Sequence, residues 1–382
     1  MTKKSFIKFL GLLLVVGLLF AAAPVGQAQA AAVVTTEAEL RNALAGTETQ
    51  IELGASFTLT ATVEVNRTVS IDGKGYIISG PPIGAEAHQG HGLAVYADGV
   101  HISNLTITGS GRSNLNFYVV TGGVVNNVVL SNAANAGMIV NGSSVTITNV
   151  TTTNNVWGGI NVDQGVGVTE IPHLTVTNVT HHTSPVAGIT PAIWVDSGNA
   201  SYVAVGDLYT VVSAPNGYLV FYDNAEFETI AANFPVHNVT KDIYYATIQN
   251  AITAATAGDT IEVSGTYVLD TVAVLDKAIT LTCASGAKIQ VSGTGDRFDI
   301  RAAATISSCE IEKTDKTGEQ YIIRLNNADA SGAKILNNKI HGQFVIGDPE
   351  VSRAIVVNAG SLSGVEISGN EIYGLRLPAY IS

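Results

Sequence analysis

The chain has 382 residues, of which 39 are glycine and only 13% are charged. Its formal net charge of −12 sets it against nucleic acid and anionic membrane surfaces as partners. An apolar content of 46% excludes a disordered polyelectrolyte, and abundant Asn and Gly point to many tight turns.

Residues 1–30 read as a secretory signal. Lys3, Lys4 and Lys8 supply the positive start, Leu10 to Ala23 the apolar core, and Ala28-Gln29-Ala30 a small-residue cleavage site. Its removal takes away three lysines and no acid, so the mature chain is more acidic still. No second long apolar run follows, so a secreted or cell-surface protein with no membrane span after cleavage is expected.

Thr36 to Ala45 then reads as a short capping helix. Thr36 and Glu39 stand at capping-box spacing, and Leu40, Ala43 and Leu44 form one apolar face. Short alternating runs follow at Ile51-Glu52-Leu53, Phe57-Thr58-Leu59, Val63-Glu64-Val65 and Val69-Ser70-Ile71.

From there a phrase repeats. Ile102-Ser103-Asn104-Leu105-Thr106-Ile107 recurs as Val125-Asn126-Asn127-Val128-Val129-Leu130, as Val145-Thr146-Ile147-Thr148-Asn149-Val150, and around Val176-Thr177-Asn178-Val179. The interval, roughly 22 to 29 residues, is a solenoid period. It is too short for a βαβ unit and suits one coil of a parallel β-helix, with an asparagine at each bend. Each phrase has an upstream partner strand: Leu93-Ala94-Val95, Phe117-Tyr118-Val119-Val120, Met138-Ile139-Val140, Ile160-Asn161-Val162 and Ile193-Trp194-Val195. Continuing their alternation places Tyr218 and Val220 inward on a sixth strand.

The cap unit recurs at Ala246 to Ile252, followed by Ile261-Glu262-Val263, Tyr267-Val268-Leu269 and Ile279-Thr280-Leu281. This predicts an all-β fold of two tandem solenoids, 31–235 and 236–382, each led by a short helix, with a boundary near Phe234-Pro235. The second stops in mid-pattern at Ser382, so a longer chain or a covering partner is expected there. Cys283 and Cys309 lie close to one coil apart. They could form a coil-to-coil disulfide or remain two buried thiols.

The whole pattern resembles the right-handed parallel β-helix superfamily of pectate-lyase-like proteins, of the bacterial secreted type, over roughly residues 34–382. Trp194-Val195-Asp196 is similar to part of the Trp-Ile-Asp-His signature of pectate lyases, but Ser197 stands where the histidine would be. The Arg-x-Pro-x-x-Arg motif is absent, and so are the pectin-esterase motifs. Of the polygalacturonase-like motifs only Gly90-His91-Gly92 matches, ahead of every candidate acid. The resemblance therefore implies a fold and transfers no catalytic residue.

The outward residues carry the candidate chemistry. Asp163 and Asp196 share one outward column, with Trp194 and Asn161 beside them and His181 and His182 between them in sequence. Two carboxylates near 5 Å apart beside a flat aromatic are what retaining sugar hydrolysis uses. Asp163, Asp196 and Asn141 could instead hold calcium, and Trp194, Asn161, His181 and His182 could hold a sugar. The plainest alternative is a solvated face. His88 and His91 stand at metal-pair spacing without a third ligand in view. Between Lys74 and Lys241 the only Lys or Arg is Arg112, so an anionic polymer is disfavoured unless a cation bridges it. Two functions are consistent with this. One is a structural or adhesive scaffold that binds extracellular polysaccharide or cell envelope. The other is a polysaccharide-active hydrolase or lyase that uses the carboxylate pair.

Overall fold

The computed structural model describes residues 30–182, 191–196, 199–205, 209–214, 218–316, 319–325, 328–348, 351–357 and 362–381. All but the last residue of the expected signal, residues 183–190, and Ser197 lie outside the described residues. The fold is a parallel β-helix. An 11-stranded and a 15-stranded sheet are joined in the C-terminal half by two five-stranded ones.

The repeated phrase sets the register. His101–Thr108, Gly123–Ser131 and Ser144–Thr153 pair in parallel, with Val125 opposite Ile102 and Ile147, and Val128 opposite Leu105 and Val150. All six of these side chains are buried. Strict alternation would bury position 104 after position 102. The chain buries Ile102, Leu105 and Ile107 instead.

The asparagine causes the change of phase. Asn104, Asn127 and Asn149 sit at φ 51, 55 and 52, the left-handed region that Asn tolerates better than other side chains. Each turns the strand and moves the apolar series by one position. Their side chains form a ladder. Asn104 donates to Asp72 Oδ1 (3.0 Å), Asn127 to Asn104 Oδ1 (2.8 Å) and Asn178 to Asn149 Oδ1 (3.0 Å).

Among the described residues three short α-helices interrupt the strands: α1 (Glu37–Ala45), α2 (Asn224–Ile230) and α3 (Ile248–Ala254). Thr36 accepts from Glu39 N–H, while Glu39 reaches back to the N–H of Thr35 (2.7 Å). Leu40, Ala43 and Leu44 of α1 are buried, as are Ile248, Ala251 and Ile252 of α3. The sequence reading did not anticipate α2. Asp223 caps it by accepting from Glu226 N–H (2.9 Å), and Phe227 packs on the Tyr244 ring at 4.8 Å.

The sheet continues through the region of Phe234-Pro235, but its strands reverse direction there. Leu219–Asp223 pairs antiparallel with Ile193–Val195 and with Tyr209–Ser213, and Val236–Asn238 pairs antiparallel with Ile243–Tyr245 and Thr260–Val263. The expected phase of the sixth strand is corrected too, because Tyr218 to Phe221 are all apolar and alternation fits either face. Leu219 and Phe221 are buried, and Tyr218 turns its ring to Trp194. In the C-terminal half Cys283 and Cys309 are joined by a disulfide, with Cα atoms 4.9 Å apart on neighbouring coils.

Replacing Asn149 by leucine should lower stability by about 1–3 kcal/mol, because leucine is strained at this φ and the Asn178 amide loses its acceptor. Urea unfolding reads this directly, and an unchanged midpoint would refute the role given to the bend.

Candidate functional site

Five strands build one outer face: β1 (Leu93–Val95), β2 (Leu115–Tyr118), β3 (Met138–Asn141), β4 (Ile160–Asp163) and β5 (Ile193–Val195). They pair in parallel and in register, so equivalent residues stack in columns about 4.8 Å apart. Val95, Phe117, Val140, Val162 and Val195 point into the core and are fully buried. The alternate positions face out. One column runs Ala94, Asn116, Ile139, Asn161 and Trp194. The next runs Tyr96, Tyr118, Asn141, Asp163 and Asp196, by extension of the same register.

A third column comes from the turns that lead into the strands. Arg112 N–H donates to Gly90 O, Asn135 N–H to Arg112 O, and Trp157 N–H to Asn135 O. These turns stack as regularly as the strands do. The three columns line a groove of about 590 Å³, which His88 and His91 close at the N-terminal end.

Its two ends differ in chemistry. At one end the Tyr96 and Tyr118 rings meet edge-on at 6.0 Å, and Tyr118 is 39% exposed. At the other the Asp163 and Asp196 carboxyls stand one coil apart in the same column, close enough for one charge to act on the other. Asn161 Nδ2 donates to Asp196 Oδ1 at 3.0 Å. Burial, then the Asp163 charge, push the Asp196 carboxyl up to about 6. Trp157 (45% exposed) stands beside this pair, with its ring perpendicular to Trp194 at 6.2 Å.

The structure brings Asp163, Asp196, Asn141 and Asn161 together as the alternation predicts. Trp194 lies behind the exposed Trp157 instead of forming the floor. His181 is a correction. It lies on Val179–His182 in the other large sheet, opposite Thr152, where it is buried and its Nδ1 is 2.7 Å from Thr152 Oγ1. The strand simply continues past the Asn178 bend and carries His181 with it. The side chain of His182 lies outside the described residues.

His88 and His91 make no metal pair. His91 is bonded to the Ala87 backbone, and its Nδ1 accepts from Ser113 N–H at 3.4 Å. Burial holds His91 down at about 4, and Arg112 adds to the effect. Among the described residues no three His, Cys, Asp or Glu side chains gather as a metal site. For calcium at the carboxylate pair, Asn161 turns its N–H₂ rather than its oxygen toward Asp196, the wrong polarity for a shared cation.

The strand pattern alone did not reveal Arg112, Asn116, Asn135, Tyr118 and Trp157 as groove residues. A signal for the turn residues existed: Arg112, Asn135 and Trp157 recur at nearly the period of the bend asparagines.

No protein family matches the chain. No curated protein matches it either. Among solved structures it is similar to a mutant of the PL6 family alginate lyase AlyGC, at 10% identity and a TM-score of 0.26, covering 91% of this chain and 81% of that one. It is also similar to an L. reuteri 53608 SRRP at 13% identity and a TM-score of 0.18, covering 92% of this chain and 98% of that one. At these scores neither likeness bears on activity.

The raised Asp196 has a consequence for stability. A carboxyl that holds its proton more tightly when folded contributes stability that is full below its ordinary value of 3.8 and is lost as pH rises through about 6. Asp196→Asn cannot titrate. Its melting temperature should therefore fall less than that of the parent between about pH 4 and about pH 6.5. Two parallel profiles would show that the folded protein does not hold Asp196 up.

Proposed function

We propose that this chain is an extracellular parallel β-helix that binds polysaccharide of its surroundings or of the cell envelope along the groove of its N-terminal half. In this reading it is a scaffold or adhesive protein. The observation that carries the reading is the pairing of exposed rings with buried amides that have hydrogen-bonding capacity to spare. Tyr118 and Trp157 present ring faces suited to stacking on sugars. Asn116 and Asn161 are only 5% and 4% exposed, yet among the described residues Asn116 Nδ2 and Asn161 Oδ1 have no protein partner. Both residues line the groove, so a ligand rich in hydroxyls fits what these two leave open. The signal-like segment 1–30 supports the extracellular setting.

A second reading, glycoside hydrolysis, is favoured by two carboxylates, Asp163 and Asp196, one coil apart in the same column. Binding accounts for the exposed rings and the open amides as well, so it is the better fit.

A glycan array with the full chain tests the proposal. Tyr118→Ala and Trp157→Ala should each weaken the retained glycans roughly tenfold while the fold, read by circular dichroism, is kept. If both variants retain the same glycans as strongly as the parent, the groove is not the binding site. Release of new reducing ends from a bound polysaccharide, lost in Asp196→Asn, would favour hydrolysis instead.

A further inference from the structure

We propose that the acidic end of the groove receives a protonated primary amine, so that the preferred polysaccharide is one of unacetylated amino sugars. This rests on the groove being a carbohydrate site, and narrows its ligand.

The first support is the missing counter-charge. Among the described residues Asp163 and Asp196 have no Lys, Arg or His partner, although the protein pairs most of its other charged ladders. In the C-terminal half Lys288, Glu310, Lys339 and Glu371 are stacked in register with alternating sign. Lys288 and Lys339 reach Glu310 at 3.2 and 3.7 Å. The groove column instead sets like charge on like charge, which is unfavourable unless something cationic lies between.

The second support is the shape of the acceptor set. An ammonium group has three N–H donors and no acceptor. Asp163, Asp196 and Asn141 are consecutive in one column, and Asn141 commits only its Nδ2, to Asn116 at 3.5 Å. Its oxygen completes a set of three acceptors. Calcium would need six to eight oxygens, and Asn161 offers this pair an N–H instead.

The third support is aromatic. The exposed Trp157 ring lines the same groove as the carboxylates, where a cation gains from a ring face. The Arg112 guanidinium lies on the coil of β2, two coils from Asp163 and about 10 Å along the groove. An amine at the acidic end does not meet it. Amines are also drawn in from a distance, because acids outnumber the one Lys or Arg, Arg112, between Lys74 and Lys241.

The test is calorimetric titration of the full chain with the glucosamine tetramer and with the N-acetylglucosamine tetramer. The two share one sugar backbone, with an ammonium group in the first where the second carries a neutral acetamido group. The amine form should bind at least roughly tenfold more tightly, the scale of a hydrogen bond to a charged group. In the Asp163→Asn, Asp196→Asn double variant that preference should vanish while binding of the acetylated tetramer stays. Should the double variant not fold, the same preference in the parent must shrink as salt rises, since screening weakens an ionic contact. Equal binding of the two tetramers overturns the amine proposal and leaves the carbohydrate reading standing. So does a rise in melting temperature with calcium chloride alone that the double variant loses. If neither tetramer binds and the array is blank, the carbohydrate reading itself fails.

Discussion

The fold depends on one backbone event that recurs from coil to coil, the left-handed asparagine at the bends of Asn104, Asn127 and Asn149. A coil must turn through a corner and still keep its apolar side chains inside. A strand that turned without changing phase would bury Asn104 and Thr106 and expose Leu105 and Ile107. The residue at φ 51 rotates the chain so that Leu105 and Ile107 are the buried ones. Few side chains occupy that region cheaply, and glycine, which also can, has no amide to stack. Asparagine does both. Asn337 repeats the conformation in the C-terminal half, at φ 54. Because these corners are in register, every other column on the solenoid is in register too, including those that form the groove.

Much of this was legible because it is periodic. The asparagine interval, the upstream strands and the two Thr-capped helices are local patterns, and local patterns survive in a bare sequence. What failed was strand direction. Alternation looks the same read forward or backward, so nothing in Tyr218 to Phe221 says that this strand runs antiparallel to Ile193–Val195. Helix α2 is only seven residues, too short for a helical period to stand out. Asp223 followed three residues later by Glu226 was the one available mark of its start.

The groove was half legible for the same reason. The acidic column emerged because Asp163 and Asp196 each sit one place past an inward valine. Arg112, Asn135 and Trp157 were overlooked because turns were read as spacers between strands. In a solenoid a turn is stacked just as a strand is, and these three donate backbone N–H groups up their own ladder. His181 shows the opposite error. Two adjacent histidines suggested chemistry, but Thr152 stands opposite His181 in the sheet and takes its Nδ1 into the interior.

Stacking explains why the acidic pair is informative. In an irregular fold two carboxylates can drift apart, and proximity means little. Here the register places them one coil apart on the same face, so repulsion cannot be relieved by moving the backbone without breaking the ladder. What remains is to hold a proton, which the raised Asp196 does in part, or to hold a cation from outside. The C-terminal half shows that this chain can alternate sign along a ladder, as it does from Lys288 to Glu371. A lysine at either position of the pair would have removed the repulsion. That the N-terminal half keeps two acids there, beside an exposed tryptophan and above amides with free bonding capacity, places the local cost where a ligand would offset it.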